Sequence, residues 1–179
     1  KADVHILAAV DRGLGLALYG RLGRTFAVDV PASGFAFAMY AIAESLGRPR
    51  SSYDVVALGS TPKRLTALLA GECDATMLNA GNELHAEAAG YRPLGRASVV
   101  CAPYLGTVLA ALKPFDSLAA ALTDTAAEIV AGSLDDLVIE EAAGALGLPA
   151  PLAARYLDRL RDPDEGLVPD GVVDPAAIR

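Results

Sequence analysis

The sequence lacks the residues on which most metal and redox sites depend. It contains only two histidines and two cysteines in 179 residues, and it has no tryptophan. His5 and His85 lie far apart, and neither has a second histidine or a cysteine at the spacing of metal ligands. We therefore expect neither a metal nor a cofactor.

The two cysteines, Cys73 and Cys101, are also too few to form a disulfide framework. They could pair with each other, or both could remain free. Because cysteine is among the most buried residue types, free buried thiols are the favoured interpretation.

Positive charge is scarce as well: 15 lysines and arginines stand against 22 aspartates and glutamates, which gives a formal net charge of -7. Nucleic-acid binding normally requires a clustered basic surface, so we expect no nucleic-acid partner. No window approaches the roughly 18 apolar residues of a membrane span. No signal peptide is visible, and because the chain opens on lysine rather than methionine, we expect its N-terminus to be processed or trimmed.

The sequence does contain a series of short apolar runs, each followed by a helical pattern. Three runs predict buried strands at residues 25–30, 53–58 and 74–78. A helix is predicted after each strand, at residues 34–46, at 62–70 and from 82 to about 89. Successive strand-helix units favour parallel pairing with right-handed crossovers. The predicted fold class is therefore α/β, with a parallel-type sheet and flanking helices.

The rest of the chain predicts further strands and a helical C-terminal segment. The additional strands are predicted at residues 1–9, 14–19, 97–101 and 106–112. Three helices rich in alanine and leucine are predicted at residues 115–131, 134–146 and 151–160. An acidic loop follows at 162–175, and the last residues begin another helix.

Small polar residues follow each of the three central strands: Ser33 with Gly34, Ser60 with Thr61, and Asn79. In a parallel sheet, the carboxyl ends of the strands form the crevice where ligands bind, and the helix N-termini beside it favour negative charge. Each of these residues could instead be an ordinary helix cap. Three such turns on successive strands favour a site for a small polar or anionic ligand.

Covalent chemistry and phosphate binding find little support. The segment around Ser33 is not a G-x-S-x-G nucleophile elbow, and no histidine is placed to act as its base. Residues 58–62 match neither a P-loop nor a dinucleotide fingerprint. The sequence therefore favours a binding protein over an enzyme.

Three motifs give the chain a resemblance to a known family. They are G-R-T-x-A-V-D-x-P-x-S-G at residues 23–34, L-G-x-T-x-x-R-x-x-A-L-x-x-G-E-x-D-A-x-M-L at 58–78, and A-P-Y-x-G at 102–106. About half of the chain resembles the second lobe of ABC-transporter substrate-binding proteins with the periplasmic binding protein type 2 fold. Within this fold, the resemblance is to the group that handles nitrate, taurine, alkanesulfonates and the thiamine pyrimidine precursor.

The resemblance implies two α/β lobes that close on a small solute at a hinge. Residues 1–22 would then be the end of the first lobe, 23–112 the ligand-binding lobe, and 113–179 a helical segment that returns to the first lobe. The family has a whole lobe before the segment that begins at Gly23, whereas 22 residues precede it here. We therefore expect a truncated or reduced relative in which one wall of the site is incomplete.

The resemblance also implies the site residues. One wall would consist of Ser33, Gly34, Ser60, Thr61 and Asn79, with Tyr104 where the chain returns to the first lobe. From the opposite side, His5 and Asp11 would approach the ligand.

The implied function is the capture of a small polar or anionic organic compound for ABC-type import. The partners would be this small-molecule ligand and the ABC permease subunits, and the location would be the periplasm or an extracellular, membrane-associated position. Two alternatives on the same fold remain open. One is an enzyme, such as a small-molecule lyase or a relative of thiamine-pyrimidine synthesis, which would be cytoplasmic; the other is a ligand-sensing domain.

Overall fold

The computed structural model describes residues 3–178, which form two compact units. We call Gly15–Ala102 the sheet unit, and residues 3–14 together with 103–178 the helical unit. The mixture of helices and strands confirms the predicted α/β class.

The strands in chain order are β1 (His5–Asp11), β2 (Ala17–Gly20), β3 (Thr25–Val28), β4 (Asp54–Ala57), β5 (Ala75–Leu78), β6 (Pro93–Arg96) and β7 (Thr107–Ala111). The helices are α1 (Gly34–Ser45), α2 (Thr61–Leu69), α3 (Asn82–Ala88), α4 (Ala97–Val100), α5 (Asp116–Ala131), α6 (Asp135–Leu146) and α7 (Ala150–Arg161). Short 3-10 helices lie at Arg50–Ser52 and Pro175–Ile178.

The sheet unit is built on a five-stranded sheet in the order β4-β3-β5-β2-β6. As predicted, β3 pairs in parallel with both β4 and β5. In contrast, β2 runs antiparallel to its two neighbours, β5 and β6, so the sheet as a whole is mixed.

Helices cover both faces of this sheet. The crossovers from β3 to β4 and from β4 to β5 run in opposite directions along the sheet. Because such crossovers are right-handed, they place α1 and α2 on opposite faces. On one face α1 packs with α4 and buries Met39 and Ile42, and on the other α2 packs with α3. Leu65, Leu68 and Tyr19 belong to the core beneath α2.

Asp74 links β5 to the start of β3 by hydrogen bonds at the amino end of the parallel strands. Its carboxylate accepts hydrogen bonds from the backbone N–H groups of Arg24 and Thr25 at 2.7 and 2.9 Å, and from Arg21 Nε at 2.7 Å. These hydrogen bonds, led by the one from Thr25, lower the pKa of Asp74. A Cβ atom on Gly23 would lie 2.2 Å from the Asp74 carboxyl carbon, so a side chain there would push this carboxylate away from its hydrogen-bond donors.

Arg48 provides a second tie at the same end of the sheet. Its guanidinium donates to the carbonyl oxygens of Leu22 and Gly23, and to the carbonyl and hydroxyl oxygens of Ser52. These contacts join the loop before β3 to the 3-10 helix before β4. The motif residues around Gly23 and Asp74 therefore lie at the end of the sheet opposite the predicted site.

The helical unit pairs a small sheet with three helices. β1 and β7 form a two-stranded antiparallel sheet, α5 packs on β1, and α6 packs on α7. Arg161 in α7 links the three helices, because its Nε donates to the Ile129 carbonyl in α5 at 2.8 Å and its guanidinium pairs with Asp135 in α6. Within residues 3–178, no single helix has the length and apolar composition to cross a membrane. The pair α6 and α7, bent by 114°, meets that criterion only when the two are joined.

The strand predicted at residues 97–101 is wrong. The structure has the one-turn helix α4 there, and the strand β6 ends one residue before it. The Ala97 N–H donates to the Leu16 carbonyl at 2.9 Å, where the chain leaves the sheet, and Val99 is 73% exposed. The two valines in residues 97–101 favoured a strand, but the residues that pair with β2 are the preceding ones, 93–96.

The two units also divide the chain differently from the predicted segments. β2 lies in the predicted N-terminal segment, yet it pairs with β5 and β6 in the sheet unit. β7 lies in the predicted ligand-binding lobe, yet it pairs with β1 in the helical unit. Both pairings join residues that are distant in sequence, so no local pattern indicates them.

Candidate ligand-binding site

The carboxyl ends of β3, β4 and β5 lie side by side at one edge of the sheet, because these strands are adjacent and parallel. The turns that follow them contain all the predicted site residues of the sheet unit: Ser33, Gly34, Ser60, Thr61 and Asn79. The structure therefore brings these five residues to one edge, as expected from the topology.

Ser33 is the N-cap of α1. Its hydroxyl accepts a hydrogen bond from the Ala36 N–H at 3.0 Å and donates to Asp29 Oδ1 at 2.5 Å. Burial opposes ionisation of Asp29, but the hydrogen bonds from Ser33 and from the Val30 N–H, together with the charge of Arg64, outweigh it and lower the pKa of this carboxyl. The Ser33 hydroxyl is therefore already used in capping α1 and in binding Asp29.

Ser60 and Asn79 are bonded differently. Ser60 occupies the N-cap position of α2 but makes no capping hydrogen bond, and its side chain is exposed. Asn79 is half-buried, and its backbone carbonyl, not its amide group, accepts from Asn82. Among residues 3–178, neither the Ser60 hydroxyl nor the Asn79 side-chain amide has a hydrogen-bond partner. Both groups can therefore bind a ligand without breaking an internal contact.

The turn after Asn79 has an unusual backbone. Ala80 and Gly81 have φ angles of 51° and 91°, and the left-handed conformation at Ala80 costs roughly 1 to 2 kcal/mol. Strain of this kind persists only where surrounding structure holds it, and it is concentrated at functional sites. The conformation turns the chain sharply between β5 and α3.

Arg64 lies beneath these turns, and the sequence analysis assigned it no role. It is only 1% exposed. Its guanidinium donates to the Gly59 carbonyl, to Thr61 Oγ1 at 3.1 Å and to the Met77 carbonyl at 3.2 Å. Its guanidinium carbon lies 5.9 Å from the centre of the Phe35 ring. The signal was present in the sequence, because Arg64 is the arginine of the L-G-x-T-x-x-R motif.

Arg96 is a second residue that the sequence analysis missed. β2 is antiparallel to both of its neighbours, and its residue Ala17 lies opposite Leu78 on one side and Arg96 on the other. The half-buried Arg96 therefore lies at the same edge of the sheet as Asn79. Its place depends on the position of β2, which the sequence pattern did not reveal.

The other three predicted site residues belong to the helical unit. His5 is exposed at the start of β1, and Asp11, which is 3% exposed, ends the same strand. Six strand residues span about 20 Å, so His5 and Asp11 lie at opposite ends of β1. The Asp11 carboxylate accepts from the Gly13 N–H at 2.7 Å. Tyr104 is half-buried shortly before β7, toward the Asp11 end of the strand pair. The participation of these three residues in binding remains a prediction.

Groups suited to metal binding or thiol chemistry are not assembled in the described part of the chain. Residues 3–178 contain no cluster of three or more histidine, cysteine, aspartate or glutamate side chains placed to hold a metal ion. Both cysteines are free; burial raises the pKa of Cys73 to about 11 and also raises the pKa of Cys101. These thiols are therefore protonated and unreactive near neutral pH.

No protein-family model and no curated protein matches the sequence. Several solved structures share its fold. The periplasmic aliphatic sulphonate binding protein SsuA from Escherichia coli aligns with a TM-score of 0.71 at 17% identity, over 98% of this chain and 64% of that one. The alkanesulfonate-binding protein SsuA from Xanthomonas axonopodis pv. citri, bound to MOPS, gives 0.64 at 17% identity, over 93% and 62%.

The zinc-bound ligand-binding component of an ABC-type import system from Staphylococcus aureus also matches, with a TM-score of 0.70 at 11% identity, over 99% of this chain and 64% of that one. At such identities the likeness shows the fold, which is that of ABC-type substrate-binding proteins. It confirms the fold expected from the sequence motifs. The chain spans 62 to 64% of the length of these structures.

Proposed function

We propose that this chain is a solute-binding protein that captures a small polar or anionic organic compound for ABC-type import. The observation that carries the proposal is the pair of unpartnered polar groups, the Ser60 hydroxyl and the Asn79 amide, at the carboxyl edge of the sheet. The fold, which the chain shares with ABC import binding components, supports the same function.

The chemistry of this edge suits an acceptor-rich ligand. α1 and α2 both begin there, and their first N–H groups carry partial positive charge. The Ser60 hydroxyl and the Asn79 amide add donors that a carboxylate or sulfonate oxygen can accept. Asp29 is the one ionised carboxylate in these turns, and its hydrogen bonds to Ser33 and Val30 already occupy it.

Native mass spectrometry of the purified protein tests the proposal directly. We expect a co-purifying small molecule, or else ligand-induced thermal stabilisation by members of a panel of alkanesulfonates and carboxylates. The double variant Ser60→Ala, Asn79→Ala should lose this stabilisation and remain folded, because neither side chain has an internal partner.

The matched control is Ser51→Ala, which removes an exposed hydroxyl before β4, at the opposite end of the sheet. This variant should respond to ligand like the wild type. Equal stabilisation of the wild type and the double variant would move the site elsewhere. Turnover of a bound compound without any transporter would favour the enzyme alternative.

The proposal includes delivery to ABC permease subunits, in the periplasm or in an extracellular, membrane-associated position. Cells that lack the gene should lose high-affinity uptake of the co-purifying compound. Unchanged uptake would remove the transport role even if binding is confirmed.

A further inference from the structure

The hydrogen bonds and the ring contact of Arg64 lie in the three chain segments that meet at the candidate site. Phe35 follows β3, Gly59 and Thr61 follow β4, and Met77 lies in β5 two residues before Asn79. One buried side chain therefore touches all three of the segments that line the edge of the sheet.

This position is chemically demanding, because a buried cation must be compensated. Burial lowers the pKa of Arg64, and the charge of Asp29 partly offsets that effect. Arginine nevertheless remains protonated inside proteins, so the guanidinium keeps its full set of donors. Two backbone carbonyls and the Thr61 hydroxyl accept hydrogen bonds from its two terminal nitrogens. The buried Nε has no hydrogen-bond partner among residues 3–178.

The hydrogen bond to Thr61 constrains the direction of its hydroxyl proton. A guanidinium offers donors only, so Thr61 Oγ1 must accept from Arg64 and cannot donate to it. Among residues 3–178, the Thr61 hydroxyl has no other hydrogen-bond partner. Its proton is therefore available to an acceptor atom outside the protein.

We propose that Arg64 is the positioning residue of this site: it holds the three turns together and fixes Thr61 as a hydrogen-bond donor, so that the site selects ligands with an acceptor oxygen such as a sulfonate or carboxylate. The inference rests on the proposed function, since it concerns the same edge of the sheet. Arg64 acts through Thr61 and does not touch the ligand itself.

Calorimetric titration with propane-1-sulfonate and with propylammonium tests the selectivity. The wild type should bind the sulfonate and not the ammonium ion. Thr61→Ser keeps the donor and should keep the affinity, whereas Thr61→Val and Arg64→Lys should each lower it about tenfold. The double variant Thr61→Val, Arg64→Lys should lose little more than either single variant, because both changes remove one coupled interaction.

If the two losses of sulfonate affinity multiply in the double variant, Thr61 and Arg64 act independently and the proposed coupling between them is wrong. If Thr61→Val binds the sulfonate as tightly as the wild type does, the donor role of Thr61 is wrong. This test does not depend on Arg64→Lys, so it still applies if that variant does not fold. Binding of propylammonium in preference to the sulfonate would overturn the selectivity.

Amide hydrogen exchange tests the positioning role without any ligand. The Leu58 N–H donates to the Val28 carbonyl at 2.8 Å near the site, and the Asp74 N–H donates to the Thr25 carbonyl at 2.7 Å at the opposite end. In Arg64→Lys, the Leu58 amide should exchange about tenfold faster while Asp74 is unchanged, since local opening depends on local contacts. Equal acceleration at both amides, or none, would overturn positioning.

The two experiments separate the two proposals. Accelerated exchange at Leu58, with no co-purifying compound and no binding of any sulfonate or carboxylate in the panel, would overturn the proposed function and leave the positioning role standing. Sulfonate binding with unchanged exchange at Leu58 would support the proposed function and overturn the positioning role of Arg64.

Discussion

The two ends of the sheet in the sheet unit use polar residues in opposite ways. At the amino end, the Asp74 carboxylate and the Arg48 guanidinium are bonded to backbone groups of neighbouring loops. At the carboxyl end, the Ser60 hydroxyl and the Asn79 amide have no partner among residues 3–178. Asp74 and Arg48 at the amino end therefore stabilise the fold, whereas Ser60 and Asn79 at the carboxyl end are free to bind a ligand.

The largest effect on stability is expected at Gly20, in the amino-end structure. Its φ is +122°, and an added Cβ atom would lie 2.1 Å from the Asp74 carbonyl oxygen and 2.8 Å from the Ala75 Cα atom. Because both are backbone atoms, Gly20→Ala should cost about 3 kcal/mol, measured by urea denaturation. Gly34→Ala is the control at the carboxyl end, where nothing lies within 4 Å. A similar loss of stability in Gly20→Ala and Gly34→Ala would contradict the difference between the two ends of the sheet.

Asp74→Asn should come next. It weakens three hydrogen bonds, two of them from backbone N–H groups, and should cost about 2 kcal/mol at pH 7. The folded-state pKa of Asp74 is below its ordinary value of 3.8. Its contribution is therefore complete above pH 3.8 and is lost as the pH falls through the folded-state pKa. The difference between wild type and variant should shrink in acid.

The control for this pH dependence is Asp54→Asn at the same end of the sheet. The Asp54 side chain is 72% exposed, and its ion pair with Arg24 is 3.6 Å long. An exposed pair of this kind contributes little, so the stability change should stay below about 0.5 kcal/mol. An effect as large as that of Asp74→Asn would show that general charge, not the hydrogen-bonded carboxylate, stabilises the amino end.

Ser33→Ala sharpens the comparison, because Ser33 has a hydroxyl at the carboxyl end that does make internal hydrogen bonds. Its hydroxyl caps α1 through the Ala36 N–H and also bonds Asp29, so its loss should cost about 1 kcal/mol in thermal or urea unfolding. Ser60→Ala removes an uncapped hydroxyl and should be close to neutral. If the two variants lose equal stability, the distinction between capping and unpartnered serines is wrong.

The smallest effect on stability is expected for Asn79→Asp. The side chain keeps its shape and breaks no internal hydrogen bond, so unfolding should change by less than about 0.5 kcal/mol. The new negative charge should nevertheless lower sulfonate affinity more than Asn79→Ala does, because it repels an anionic ligand. Titration calorimetry of the two variants measures this. Tighter binding by Asn79→Asp would indicate a cationic ligand.

Much of the sheet unit was predictable because its central part is local. Each of β3, β4 and β5 is a short, mainly apolar run followed by its own helix. The sequence order therefore indicated parallel pairing and placed Ser33, Ser60 and Asn79 at one edge. The fold class follows from the same regularity.

The parts that could not be predicted depend on contacts between distant residues. The place of β2 between β5 and β6 joins residues more than 50 positions apart, and no local pattern encodes it. Arg64 received no role from the sequence, although it is the arginine of the L-G-x-T-x-x-R motif. Only the tertiary structure shows that its face of α2 lies against the strand ends.

The antiparallel strand β2 also has a consequence for the order of events during synthesis. It is made before every other strand of its sheet, yet its partners β5 and β6 begin only at Ala75 and Pro93. Until they emerge from the ribosome, Leu18 and Tyr19, both fully buried in the native fold, are left uncovered and open to misassociation. The first strand of this sheet to be made is therefore among the last to be enclosed. The sheet cannot be completed until β6, which ends at Arg96, has emerged from the ribosome.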